Sequence, residues 1–208
     1  MPGLGLPWEQ KTPHINIMHI HIPENIENIN ILMSGGADST LLTFLLSKQT
    51  DKKIICHVLH ANTQTQQIIE NIIKYLTVNF NDRYVLNYFK NKKFLIREAV
   101  ENILMIYPGV VYTGCNKVVY HIQPTVYIPG DTPPVRGPVA NEYHIRPFID
   151  LDKTEIIKIY KDEGLLDLLS ITKSCGLPGY ERCGGCYFCM ERAWAIESND
   201  IIDINKLL

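Results

Sequence analysis

The chain has 208 residues, 46% of them hydrophobic, and a formal charge of -2. That is enough apolar material for one real core with a small appendage, and it carries no basic signal for wrapping nucleic acid or holding a membrane surface. No apolar run is long enough to span a bilayer, and Met1-Pro2-Gly3-Leu4-Gly5-Leu6-Pro7 lacks the charged and apolar regions of a secretory leader.

Residues 1–14 hold three prolines and no periodicity, which predicts a loose arm. Ile15 to Ile22 runs Ile, Asn, Ile, Met, His, Ile, His, Ile and suits an edge strand, with His19 and His21 on one solvated face rather than as metal ligands. The apolar run Ile29-Asn30-Ile31-Leu32-Met33 predicts the first buried strand. It leads into Ser34-Gly35-Gly36-Ala37-Asp38-Ser39-Thr40, and then into a helical run from Leu41 to Leu46. Two glycines let backbone approach a ligand closely, and hydroxyls stand beside the first N–H groups of the helix. Such a turn suits an anion, because the donors converge and the helix dipole favours negative charge. It is not the G-x-x-x-x-G-K-[ST] loop of kinases and GTPases.

The chain then alternates. Ile54-Ile55-Cys56-His57-Val58-Leu59 reads as a strand covered on both faces, and Ile68, Ile69, Ile72, Ile73 and Leu76 recur at helical spacing. Tyr84 to Phe89 is a third strand, Phe94 to Tyr107 a third helix, and Gly109 to Thr113 a fourth strand. This pattern predicts an α/β protein with a doubly wound parallel sheet, whose ligands sit beyond the carboxyl ends of the strands. The turns His60-Ala61-Asn62-Thr63 and Thr113-Gly114-Cys115-Asn116 fall at those ends. Gln123 to Pro138 carries five prolines and reads as a long loop, either a substrate-facing lid with Arg136 as an anion contact or a surface insertion. His144 to Ile149 returns to strand character. Asp152 and Glu155 then form a capping-box pattern, with Ile156, Ile157, Ile159 and Tyr160 as the buried face and Gly164 as the stop.

Four of the six cysteines, Cys175, Cys183, Cys186 and Cys189, crowd into fifteen positions as C-x7-C-x2-C-x2-C. Clustered thiols with glycine-relieved turns point to a metal site in a reducing cytoplasm rather than a disulfide framework. Four thiolates without histidine fit a closed structural zinc site; an iron–sulfur cluster is the alternative, and the missing Cys-Pro end favours zinc.

S-G-G-x-D-S-T after a buried strand resembles the pyrophosphate loop of the ATP pyrophosphatases, the PP-loop superfamily with an adenine nucleotide alpha hydrolase-like fold. Thr172-Lys173-Ser174-Cys175 with Cys183-Gly184-x-Cys186-x-x-Cys189-x-x-Arg192 resembles the zinc module of the 7-cyano-7-deazaguanine synthase family of queuosine biosynthesis. The resemblance covers residues 29–48 and 145–196 well and the middle poorly. His60-Ala61-Asn62-Thr63-Gln64 and Asn116-Lys117-Val118-Val119-Tyr120 stand where the family has Tyr-Gly-Gln and Tyr-Pro-Asp-Cys-Arg stretches, which shape the deazapurine pocket.

The resemblance implies an ATP-dependent carbon–nitrogen ligase that turns 7-carboxy-7-deazaguanine and ammonia into the nitrile, releasing AMP and pyrophosphate. Ser34, Gly35, Gly36, Asp38, Ser39, Thr40 and Gly114 would bind ATP. Asp38 would orient the loop or Mg2+, and Lys153 and Arg146 would face the phosphates. Cys175, Cys183, Cys186 and Cys189 would bind zinc. The implied organisation is an arm with an edge strand over 1–28, a PP-loop domain over 29–170, and a zinc module with its tail over 171–208. A homodimer is the default for such enzymes. Three rivals remain: adenylation of a tRNA base or protein, a non-catalytic nucleotide sensor, and a zinc-ribbon nucleic-acid binder. For the last, Lys173, Arg182 and Arg192 make a thin basic footprint.

Overall fold

A computed structural model describes residues 18–59, 62–89, 96–126, 142–177 and 182–202. Strands β1 (Asn28–Leu32), β2 (Lys53–Val58), β3 (Tyr84–Tyr88), β4 (Val111–Thr113) and β5 (His144–Ile145) form one parallel sheet in the order β3-β2-β1-β4-β5. Helices α1 (Ala37–Gln49), α2 (Thr63–Phe80) and α3 (Ile96–Ile106) make the crossovers, and α4 (Lys153–Asp162), α5 (Leu166–Ser170) and α6 (Tyr187–Glu197) follow.

Alternate residues of β1 serve opposite faces, as the pleat requires. Ile29 and Ile31 join Ile54, Cys56 and Val58 in a core with the apolar residues of α1, α2 and α4. Leu32 and Val111 meet Ala99, Val100 and Ile103 of α3 on the other side. Helices therefore cover both faces, as the alternating pattern predicts, and buried residues run unbroken from Ser39 to Ser47 because α1 is enclosed all round. The second face also carries a buried polar chain. His57 Nε2 lies 3.1 Å from Asn30 Oδ1, Asn87 Nδ2 lies 3.0 Å from His57 Nδ1, and burial lowers the His57 pKa to about 4. A neutral ring that donates to Asn30 and accepts from Asn87 satisfies both contacts.

Several expectations need revising. The described part of Ile15 to Ile22 forms no strand. The Gln49 side chain replaces a ladder there, accepting from Ile20 N at 2.9 Å and donating to Met18 O at 3.0 Å, while His19 and His21 are exposed. The strand expected over 144–149 stops at Ile145, because residues 147–150 turn toward the next helix. That helix begins as its capping box predicts, with Asp152 accepting from the N–H groups of Thr154 and Glu155. Asn62 lies at the start of α2 as its cap, accepting from Thr65 N at 2.8 Å, so it serves the helix rather than the pocket; His60 and Ala61 lie outside the described residues. The proline-rich stretch is described only to Val126, and Arg136 falls outside it. Where it begins, Thr125 and Val126 donate to Gly185 O at 2.9 and 3.0 Å, which staples it to the cysteine segment.

Candidate active site

The order of the sheet reverses between β1 and β4, and the loop from Ser34 to Thr40 leaves β1 at that crevice. In open parallel sheets this is where ligands bind. Gly35 takes φ +76°, a left-handed conformation that glycine adopts without strain, and this turns the chain from strand into helix. Gly36 is the N-cap of α1 and contributes no side chain, so the first N–H groups of the helix remain without intrahelical partners. Inside the loop the contacts are long. Ser34 Oγ lies 3.2 Å from Ser39 Oγ and accepts from Gly36 N at 3.3 Å, and Ser39 Oγ accepts from Ser34 N at 3.3 Å. Thr40 is fully buried, and its Oγ1 has no hydrogen-bond partner among the described residues.

A cavity of about 430 Å³ opens beside this loop, within the range of small-molecule sites. Ser34, Gly36, Asp38 and Ser39 line it, with Thr113, Gly114 and Cys115 from the end of β4, Lys153 from α4, and the segment Lys173 to Gly176. Leu59, Ile96 and Phe188 add apolar wall. Gly35 and Thr40 do not reach the wall: they shape the turn from behind.

Lys153 is 3% exposed, and its Nζ donates to both carboxylate oxygens of Asp38 at 2.5 Å each. Glu191 Oε2, from α6, is 3.5 Å from the same ammonium, and Glu191 is 1% exposed. A buried cation thus sits between two carboxylates drawn from elements far apart in the chain. Arg192, beside Glu191, is fully buried and donates to Thr172 Oγ1 and Leu169 O at 2.7 Å each. Burial pushes its guanidinium pKa down. The arginine fixes the strand of chain that carries Lys173 and Ser174, and Lys173 N donates to Gly35 O at 2.9 Å. The cysteine segment and the loop after β1 are therefore joined by a hydrogen bond.

The four cysteines of the sequence pattern come together. All four Sγ atoms lie within 4.8 Å of one another, with Cys183 and Cys189 at 3.9 Å. Burial acts to raise the Cys183 thiol, but the N–H groups of Cys186 and Gly185 outweigh it and bring the pKa down to about 7. Burial pushes Cys186 and Cys189 up, as expected of thiols that share one space. The cluster is adjacent to the cavity, because Cys175 lines both.

Gly114 lines the cavity and also lets two backbone segments meet. A Cβ there would meet Asp38 C and Ser39 N at 2.7 Å and Asp38 O at 2.9 Å, so the close approach it permits is to the first turn of α1. Arg146 lies in the turn after β5, half-buried, and is not among the residues lining the cavity. The segment after Cys115 turns away too. Asn116 donates to Glu191 at 3.5 Å, and Val118, Val119 and Ile122 pack with Tyr187, making a scaffold for α6. Two site residues escaped the sequence reading, Glu191 and Lys173. Nothing in the run Cys189-Met190-Glu191-Arg192 marks the glutamate, whereas Lys173 is next to a cysteine already singled out.

No protein-family model matches the chain, and no curated protein matches it. Among solved structures, the U34-tRNA thiolase NcsA of Methanococcus maripaludis, described with its iron–sulfur cluster, is similar with a TM-score of 0.47 and 11% identity, over 91% of this chain and 71% of that one. An NH3-dependent NAD synthetase of Campylobacter jejuni, described with a nitrate ion, is similar with a TM-score of 0.44 and 14% identity, over 88% of this chain and 80% of that one. At that distance the two assign no substrate, cofactor or reaction to this chain.

Proposed function

We propose that the chain is an ATP-dependent adenylating enzyme that cleaves ATP between its α and β phosphates. Its acceptor is then the carboxylate of 7-carboxy-7-deazaguanine, converted with ammonia to the nitrile through an acyl adenylate. The observation that carries the ATP reading is the glycine-turned loop at the sheet's reversal point, with Lys153 paired to Asp38 beside a cavity of about 430 Å³. The first N–H groups of α1 and the loosely held hydroxyls of Ser34 and Ser39 offer donors to the leaving pyrophosphate. Lys153 and Lys173 add positive charge on the same wall, and Leu59, Ile96 and Phe188 suit the face of a base. Magnesium, when bound, would neutralise phosphate charge, and Asp38 is the carboxylate placed to hold it. The acceptor rests on the resemblance of residues 172–192 to the deazaguanine synthase module.

The cysteine geometry supports zinc. Zinc–sulfur bonds of about 2.3 Å in a tetrahedron place the sulfurs about 3.8 Å apart, close to the 3.9 Å between Cys183 and Cys189. A cubane cluster would hold its cysteines farther apart, because each binds a different iron corner. Cys175, Cys183, Cys186 and Cys189 would hold the ion, whose part is to fix the fold of this segment.

Pyrophosphate release with MgATP and ammonium, with and without 7-carboxy-7-deazaguanine, tests the proposal. Release that requires the acid and fails in Asp38→Ala is the expected result. Release driven by a tRNA or protein acceptor instead would replace the acceptor, and the turning of residues 116–122 toward α6 favours that second reading. Nucleotide binding with no release under any acceptor would remove the enzymatic reading.

A further inference from the structure

Lys153 has three N–H donors, and while it gives two of them to the oxygens of Asp38 that carboxylate is not free to turn to a ligand. Its Nζ is held at 2.5 Å by each of them, and the side chain is 3% exposed. A buried ammonium that leaves its carboxylate without another partner is strongly disfavoured. Glu191 supplies that partner. Its Oε2 stands 3.5 Å from Nζ, inside ion-pair range but longer than the about 2.7–2.9 Å of a charge-assisted hydrogen bond. The carboxylate is held from behind, where Oε1 lies 3.2 Å from the Tyr187 hydroxyl and 3.5 Å from Asn116 Nδ2. Tyr187 is itself fixed, accepting from Val119 N at 2.9 Å.

We infer that Glu191 is a positioning residue, a second anionic seat onto which Lys153 moves when Asp38 turns to the bound nucleotide. The inference rests on the reading of the loop as a nucleotide site and adds to it a residue from the cysteine segment. The ammonium shifts by less than an ångström and is never unpaired. Asp38 is freed for the ligand, and the lysine stays against the loop. The mobile pair is thereby anchored to α6, the helix that carries Cys189 and Arg192.

The test uses the full chain with its metal and the non-cleavable analogue α,β-methylene-ATP with Mg2+. Calorimetry shows whether the nucleotide binds, and a crystal structure of the complex shows where Lys153 rests. The expected result is a Lys153–Glu191 contact near 2.8 Å with the Asp38 pair opened. Nucleotide bound with Lys153 still on both oxygens of Asp38 overturns the inference alone. No nucleotide bound overturns the loop reading and the inference with it. In turnover, Glu191→Gln should lower kcat about tenfold or more while KM for ATP changes by less than about twofold, and Glu191→Asp should recover part of the loss. Equal losses in kcat and KM, with no recovery by aspartate, would mean that Glu191 only supports the fold. Should Glu191→Gln fail to fold, the complex structure of the natural chain decides.

Discussion

Replacing Gly114 with alanine puts a methyl group where the first turn of α1 already stands. The added Cβ meets Asp38 C and Ser39 N at 2.7 Å and Asp38 O at 2.9 Å, all of them backbone atoms that no rotamer change can clear. Relief to ordinary contact near 3.4 Å requires the end of β4 and the loop to separate by about 0.7 Å. Overpacking of this kind costs about 1–3 kcal/mol, which for a domain of this size lowers Tm by roughly 2–4 °C per kcal/mol. The functional loss should be larger than the loss of stability. The displaced atoms carry Asp38 and the N–H groups that face the cavity, and a misplacement of about 1 Å at a reacting centre can lower the rate about a hundredfold. Gly164→Ala is the control, because Gly164 has φ +69° but nothing within 4 Å of its added Cβ. It should lose stability from backbone strain alone, with pyrophosphate release intact. Thermal melts and pyrophosphate release are measured on both variants. A Gly114→Ala protein with unchanged Tm and unchanged release would refute the claim that this glycine sets the loop.

Lys153→Met leaves the buried Glu191 and the partly exposed Asp38 without their cation, and breaking a buried pair costs about 3–5 kcal/mol; urea denaturation should show a loss up to that size, with part of it recovered in Lys153→Met/Glu191→Gln. His57 is lowered from 6.5 to about 4, so the unfolded chain takes the proton more readily. Its stabilisation is complete above pH 6.5 and is lost as pH falls toward 4, about 3 kcal/mol over that window at about 1.4 kcal/mol per pH unit. Burial lowers His144 to about 4 as well, so denaturant titrations between pH 7 and pH 4 should show a slope steeper than the His57 share, and His57→Gln should remove that share and leave the rest. Stripping metal with a chelator, or changing Cys186 to serine, should lower metal content and Tm together, whereas Cys56→Ser, in the core of the sheet, should leave metal content unchanged.

The parts of the fold that were legible are those in which one residue type has one job. The buried strand Ile29 to Met33 and the run Leu41 to Leu46 could be read because apolar periodicity is local, and the capping box at Asp152 because its two members lie three positions apart. Local pattern misled at Ile15 to Ile22, where Ile20 does enter the core but the backbone partner is the amide of Gln49, about thirty positions away. Asn62 showed a polar loop residue without showing whether it caps a helix or meets a ligand. The convergence of the four cysteines was legible because thiols separated by seven and two residues, with glycines between them, can fold back onto one point. Lys153 was half legible: its place at a helix start was visible, but its burial between Asp38 and Glu191 depends on contacts across 115 and 38 positions, which no short pattern encodes.

The sheet is uneven across its width. β1 is paired over its whole length to β2 and over three residues to β4, while β5 pairs through only two residues at the rim. Amide exchange should therefore be slowest at Ile29 to Leu32, released only by global opening, and much faster toward His144 and Ile145. The cavity is lined from the ends of β1 and β4 and by no residue of β5, so the loop beside it stands on the most durable strand of the sheet.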